Sequence, residues 1–490
     1  MAGGVTGAGA TPCVDELQAL LGRDAVLTAD ADVQGYVEDW RGRFRGAAAC
    51  VVLPASTAQV AAVVRVARRH GVPVLPQGGN TSLCGGAVPA TSGPAPVLVS
   101  LARMRRIRAI DATNHSMDVE AGCVLATVQQ AAAAAGRLYP VSLGAEGSCQ
   151  IGGTISTNAG GTGVLRYGNT RDNVLGLEVV LPDGTVWDGM TRLRKNNTGL
   201  DLKHLFIGAE GTMGIVTAAV LKLHPLPTVH AAAWLAVPSP QAALHVLGLF
   251  QDRCGAQLSA FEMLDAGQVQ LVLDHVSGRR APLPTSHPWH VLVELADTRD
   301  EAALSQRLQQ VLEAGAANGW VEDAVVATSG AQRQSMGSVR HSIAEANRKA
   351  GIALTTDSAV PVSALPAFIT QASAAVRAIV PDLPIVMVAH LGDGNVHFIP
   401  YFSHARWQAQ PDRDALGPRI KRAVNEVCHA LGGTFSAEHG IGQMLTSEMA
   451  HFKSPVELAL MRAVKQAIDP LGLFNPGRLL PPSPHATVDG

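Results

Sequence analysis

The 490-residue chain sets 38 Lys+Arg against 40 Asp+Glu, a formal net charge of −2 with no charge blocks, and only 4% of it is aromatic. This excludes a polyanion binder working through a basic face, and it removes the stacking platforms used on single-stranded nucleic acid. With 47% hydrophobic and 16% charged residues the chain can bury large cores, and its length suits two or three domains. Its 50 glycines follow no period, which points to turns or close ligand approach rather than a collagen-like or low-complexity chain.

The opening MAGGVTGAGATP lacks a basic stretch followed by an apolar core, so no signal peptide is expected. No apolar run approaches the ~20 residues of a membrane span. Seven scattered cysteines, none in a CxxC pair, argue against a disulfide framework and for a reducing, cytoplasmic setting. PASTAQVAAVVRVARRHGVPVLP predicts a helix capped by Ser56 or Thr57, with Val60, Val63, Val64 and Ala67 on one face. Gly71 stops it before a short strand. VLGLEVVLPDGTVWDG predicts a hairpin around Pro182, Asp183 and Gly184, and GTMGIVTAAVLKLHPLP a further strand. From about residue 228 to 385 glycine thins out. Helices such as DEAALSQRLQQVLEAGAANG alternate there with strands such as WHVLVELA, as in a second α+β domain. The tail PPSPHATVDG is expected to be disordered.

Glycine concentrates in PQGGNTSLCGG (76–86), GSCQIGGTISTNAGGTG (147–163) and GAEGTMGIV (208–216). One such loop is more often a turn, but three within one span favour a dinucleotide cradled by backbone N–H groups. The Rossmann pattern GxGxxG is missing, so another dinucleotide fold is implied. These strings, with RYGNTRDNVLGLEVVLPDG, DLKHLFIGAEGTMGIVT and the closing NPGR, resemble the vanillyl-alcohol-oxidase-type FAD enzymes. Within these, they are most similar to the branch of D-2-hydroxyacid dehydrogenases acting on D-2-hydroxyglutarate or D-lactate. The likeness runs from about Trp40 to Pro481.

The resemblance implies an α+β fold: a FAD-binding domain of that type, an α+β substrate (cap) domain and a small C-terminal helical segment. The expected divisions are a lead-in at 1–44, the FAD domain at 45–227, the cap at 228–430 and a completing segment at 431–490. FAD is expected at Gln77, Gly78, Gly79, Asn80, Thr81 and Gly85 of the first loop. Gly144, Ser148, Gly152, Gly153, Asn158, Gly160 and Gly161 follow in the second, and Glu210, Gly214, Ile215 and Asn475 close the site. Covalently flavinylated relatives commonly carry His at the place of Asn80, so FAD is expected to be non-covalent here.

HLGDGNVH sets His390 and His397 about a tight turn, and SAEHG adds Glu438 and His439. Two imidazoles and a carboxylate form an ordinary divalent set, although on spacing alone a His that merely donates to a carbonyl is the commoner case. The resemblance implies that His390, His397 and Glu438 hold zinc, with manganese or iron as variants, and that His439 is the general base for the substrate hydroxyl. It further implies that Asn395 hydrogen-bonds the substrate and that Arg340 in SVRHSIAEA pairs with its carboxylate. Asp393 is expected to order the turn.

Two basic positions of close relatives are lost, at Thr355 (with Thr356 beside it) and Leu445, with Arg348 and Lys349 as candidate substitutes. The motif wording favours D-2-hydroxyglutarate, and the missing lysine favours D-lactate or a larger apolar acid. No nicotinamide site is visible, so electron-transferring flavoprotein, a quinone or a similar acceptor is expected. A homodimer is left open. Two competing readings are a zinc hydrolase with structural glycine loops and a flavin subunit that needs a partner chain.

Overall fold

The computed structural model describes residues 10–482; the expectations for the first nine residues and for the tail beyond Pro482 lie outside them. The chain forms two compact units. One comprises residues 10–161, 168–226 and 438–482 of the described chain, the other residues 162–167 and 227–437.

In the first unit, β1 (Val26–Leu27), β2 (Cys50–Val52), β3 (Val74–Gln77) and β4 (Val97–Ser100) form a sheet in the order β1-β2-β4-β3, with β2, β4 and β3 parallel. These strands read as unbroken apolar runs because both faces are covered: Cys50, Val52, Val97 and Val99 enter one core, and Val51, Leu75 and Leu98 another. The helix Thr57–Arg69 packs into the first of these cores through Val60, Val63, Val64 and Ala67. Ser56 caps it by accepting from Gln59 N–H (3.3 Å), and Gly71, at φ 65°, turns the chain into β3.

The second sheet is antiparallel, in the order β5 (Ile107–Asp111), β6 (Ser116–Glu120), β10 (Ile215–Lys222), β8 (Val174–Val180) and β9 (Val186–Gly189). β8 and β9 are the hairpin read from the Pro-Asp-Gly turn. A two-stranded ribbon pairs β7 (Arg137–Leu138) with β11 (His224–Pro225).

The other unit is built on one eight-stranded sheet. β12 (Val229–Val237), β13 (Leu258–Asp265), β14 (Trp289–Asp297), β15 (Asp323–Val326), β16 (Ile352–Ala353), β18 (Ile385–His390) and β19 (Asn395–Phe402) run in the order β15-β12-β14-β13-β18-β19-β16. β17 (Ser358–Ala359) also pairs with β19. Side-chain alternation divides its two faces. Ala233, Leu235, Phe261, Met263, Val291, Val293 and Ala389 pack under the helices Pro240–Cys254, Glu301–Ala317, Leu365–Ile379 and Arg413–Ala430. Trp234, Leu264, Leu292 and Val388 meet the helices Ala266–His275, Gly330–His341 and Ile343–Ala350.

Val362–Ile379 passes the length and composition test for a membrane span. It reads as a core helix, because Leu365, Phe368, Ile369, Ala372 and Val376 are buried at helical spacing while Thr370, Gln371 and Arg377 are exposed.

Candidate active site

In the first unit the glycine loops lie against one another. A Cβ on Gly79 would overlap the Ser148 carbonyl oxygen, and one on Gly78 would stand 3.5 Å from Gly153. Gly208 N–H donates to Ile155 O (3.0 Å) and Glu210 N–H to Ser156 O (2.8 Å), which docks the third loop on the second. Four non-glycine residues of these segments and the closing NPGR hold left-handed backbone: Asn80 (φ 52°), Asn158 (50°), Glu210 (51°) and Asn475 (43°). Such strain is uncommon outside glycine and persists only where the surroundings enforce it.

The candidates then separate by what their side chains do. Gly144 and Gly153 face open space, since a Cβ on either would meet nothing within 4 Å. Ser148 is exposed, and Thr81 sits half-buried beside Asn80. Asn80 donates to Gly35 O and Glu38 O, while its Oδ1 is buried without a hydrogen-bond partner. Gln150 Oε1 is in the same state; it lies inside the second motif, yet nothing in the sequence separated it from its neighbours. A cleft of about 610 Å³ is lined by Gly79 and Asn80 together with Ala31, Gly35, Glu38 and Trp40. Open glycines beside unpartnered amide oxygens fit a dinucleotide.

Other residues expected at the cofactor make contacts within the protein. Gln77 donates to Tyr36 O (2.8 Å) and Ala87 O (2.7 Å). Asn158 Oδ1 accepts from Arg171 N–H (2.9 Å). Gly85 fits under the Phe44 ring, Gly152 against Ala121, and Gly161 (φ 114°) against Ser142; Gly160 precedes it at the end of this stretch of the unit. Gly214 is pressed on Val179, and Ile215 is a buried strand residue. Asn475 donates to Gly86 O and Glu210 O. The Glu210 carboxylate accepts from the backbone N–H groups of Ile441 and Gly442, each at 2.7 Å. Glu438 and His439 are in this unit, and their ligand atoms lie within 4.8 Å of each other.

In the other unit the register aligns Asn395, His390, Glu262, Leu292 and Trp234 in one row across five strands. Arg340 reaches this row from the helix Gly330–His341. Its Nε donates to Glu262 Oε2 (2.6 Å) and its Nη2 to His390 Nε2 (3.1 Å), while His390 Nδ1 lies 2.6 Å from Glu262 Oε1. A guanidinium only donates, so Nε2 carries the lone pair and the ring proton sits on Nδ1, directed at Glu262. That is the tautomer of a metal-ligating imidazole oriented by a carboxylate, although Arg340 occupies its lone-pair side here. Burial pushes the Glu262 carboxyl up, but His390 and Arg340 outweigh it and hold it at about 2. Glu262 escaped sequence reasoning because it stands 128 positions from His390, with no motif around it.

His397 faces His390 across the hairpin, with ring centroids 5.7 Å apart and nearly perpendicular. The turn is closed by Gly394 N–H to His390 O (3.1 Å), and Asp393 Oδ1 accepts from Asn395 N–H (3.0 Å). The Asn395 amide, expected to meet substrate, donates to Asp357 Oδ1 (3.2 Å) and Ser358 O (3.0 Å). Asp357, which the sequence reading passed over, offers a ligand atom within 4.8 Å of one on His397, and its Oδ2 accepts from Ala437 N–H (3.0 Å). Arg348 and Lys349 do not join Arg340: both are exposed, and Lys349 pairs with Glu345 at 2.6 Å.

Residues 48–189 match the FAD binding domain family, and residues 226–479 match the family of FAD linked oxidases, C-terminal domain. The chain belongs to the FAD-linked oxidases. It is an FAD-dependent oxidoreductase of the α+β, vanillyl-alcohol-oxidase-type fold. A D-2-hydroxyglutarate dehydrogenase of Xanthomonas citri pv. viticola is 37% identical over 96% of this chain and 97% of its own length. The mitochondrial D-2-hydroxyglutarate dehydrogenase of Arabidopsis thaliana is 36% identical over 96% and 82%. Among solved structures, p-cresol methylhydroxylase superposes with TM-score 0.75 at 17% identity, covering 97% of each chain. The 4-ethylphenol oxidase of Gulosibacter chungangensis gives 0.73 at 18%, covering 98% of this chain and 99% of its own. At such identities these two likenesses bear on the fold alone.

Proposed function

We propose that this FAD-linked oxidase oxidises a D-2-hydroxyacid to the 2-oxoacid with the help of a divalent metal, D-2-hydroxyglutarate being the first candidate substrate. The observation that carries the reading is the buried Arg340–Glu262–His390 set, a guanidinium held rigidly beside imidazoles on one sheet face. The naming of the Xanthomonas and Arabidopsis relatives supports the same substrate.

Non-covalent FAD would be held by Gly78, Gly79, Asn80, Thr81, Gly144, Ser148, Gly153 and Gln150. The metal, most simply zinc, would be held by His397, Glu438 and His390, the last after Arg340 releases the Nε2 lone pair that it now engages, with Asp357 as a further carboxylate beside His397. Bound, these groups supply a two-electron acceptor and a Lewis acid for the substrate oxygens. Arg340 binds the substrate carboxylate, since a guanidinium matches its two oxygens, and Glu262 keeps the arginine from swinging away. His439 removes the hydroxyl proton, and Asn395 and Asp357 hold the hairpin in register around His397. Electrons leave to electron-transferring flavoprotein or a quinone, and the setting is a reducing cytoplasm.

A second reading, D-lactate or a larger apolar acid, rests on Thr355 and Leu445 and on the outward course of Arg348 and Lys349. A distal carboxylate would lack a cation from any of these four positions. The two readings are separated by anaerobic visible spectra recorded with D-2-hydroxyglutarate, D-lactate and the L-enantiomers. Bleaching by a D-acid alone supports the reaction class, and the faster acid identifies the substrate. A flavin that no D-acid bleaches after zinc or manganese is restored refutes it.

A further inference from the structure

Glu210 is a glutamate at left-handed φ, 9% exposed, whose carboxylate is hydrogen-bonded into backbone. Both of its oxygens are engaged, Oε1 by Ile441 N–H and Oε2 by Gly442 N–H, each at 2.7 Å. The receiving segment follows directly on Glu438 and His439. Gly440 (φ 80°) and Gly442 (φ 54°) give it a backbone that turns successive N–H groups into one concavity, of the kind that ordinarily collects an anion. Here the occupant is the protein's own carboxyl group, whose ionisation burial opposes and the two backbone donors favour. Contact is close enough that a Cβ on Gly440 would stand 2.9 Å from Glu210 Oε1, and one on Gly442 would overlap the Cys84 carbonyl oxygen.

The brace is itself braced. Cys84 Sγ donates to Gly440 O (3.3 Å), and Gln443 N–H donates to Cys84 O (3.0 Å), which ties the segment to the first glycine loop. Asn475 Nδ2 bridges Gly86 O and Glu210 O, and Lys465 donates to Thr212 O, so the C-terminal segment holds the Glu210 turn from behind. All of these residues lie in one unit.

We propose that Glu210 is a positioning residue: its carboxylate fixes the Gly440–Gly442 backbone and thereby the direction in which Glu438 and His439 are presented, and it couples that segment to the first glycine loop. A carboxylate is required because two donors face it. Glutamine would set its own N–H₂ against one of them, whereas aspartate keeps both acceptors on a shorter arm. The proposal rests on the proposed role of His439, so its test includes a measurement independent of turnover.

The FAD-loaded full-length protein is compared with Glu210→Gln and Glu210→Asp. Hydrogen exchange is read at the Ile441 and Gly442 amides, together with kcat and KM for the D-acid and with bound FAD. Losing one hydrogen bond to a charged acceptor should speed exchange at these amides on the order of 10- to 100-fold in Glu210→Gln, with the helix Thr57–Arg69 unchanged. kcat should fall at least about tenfold while KM, set by Arg340 in the other unit, and the FAD content stay within about twofold; Glu210→Asp should recover part of both losses. Unchanged exchange at 441 and 442, or a rise spread over the whole unit, overturns the brace. Faster exchange with unaltered kcat overturns the positioning role. If Glu210→Gln does not fold, Glu210→Asp carries the same two readouts. Wild-type flavin that no D-acid reduces defeats the proposed function instead, while the exchange arm still reports on the brace.

Discussion

Replacing Glu262 with Gln keeps the volume of the side chain and removes its charge. In the native protein one carboxylate, 3% exposed, faces two donors, Arg340 Nε and His390 Nδ1, both at 2.6 Å. Glutamine retains one acceptor and sets an N–H₂ against the other donor, leaving a guanidinium that is only 15% exposed without its counter-ion. Breaking a buried pair by removing one partner costs about 3–5 kcal/mol, whereas an exposed pair would cost about 0–1. Arg340 keeps some contact with water, so the lower end, about 3 kcal/mol, is expected. Urea unfolding followed by circular dichroism and tryptophan fluorescence should show that loss at an unchanged m-value. In an Arg340→Met background the same change should cost less by at least about 1 kcal/mol, because the stranded charge is gone. A single-mutant loss below about 1 kcal/mol, or strict additivity with Arg340→Met, would refute the reasoning.

Gly153→Ala should leave the stability of the FAD-free protein within about 0.5 kcal/mol, because its Cβ meets nothing within 4 Å and the position is helical. It should weaken FAD binding at least about tenfold by flavin fluorescence titration, and equal affinity would mean that the open space is not the cofactor's. Chelation should abolish D-acid bleaching without releasing FAD, with zinc or manganese restoring it; full activity in a protein shown by elemental analysis to be metal-free would exclude metal dependence. A half-buried carboxyl and a buried imidazole titrate the fold in opposite senses. Burial lifts Asp265 to about 6, so the native state holds a proton that the unfolded chain has released, and stability from this group falls by up to about 3 kcal/mol as pH rises from about 4 to 6. Burial lowers His290 to about 4, so its contribution is lost as pH falls from 6.5 toward 4. Asp265→Asn should therefore steepen the loss of stability on acidification across that window and His290→Gln should flatten it; identical urea midpoints at pH 4.5 and 6.5 in all three proteins would contradict both assignments.

The glycine loops were legible in the sequence because their requirement is local. Left-handed backbone and close approach demand Gly or Asn at particular positions, and the same grammar announced the Pro182–Gly184 hairpin and the turn between His390 and Asn395. The helix Thr57–Arg69 was readable for a similar reason, since its cap and its apolar spacing lie within one short stretch. Which polar atoms meet was not readable. Glu262 meets His390 only because β13 and β18 pair in that register, and Asp357 nears His397 only because β17 joins β19. Arg340 turns inward while Arg348 and Lys349 turn out, because the helix ends at His341 and a new one starts at Ile343. Glu210 shows the division most sharply. Its motif named a cofactor family, but the destination of its carboxylate was set by a segment 231 residues away, whose two backbone donors it accepts.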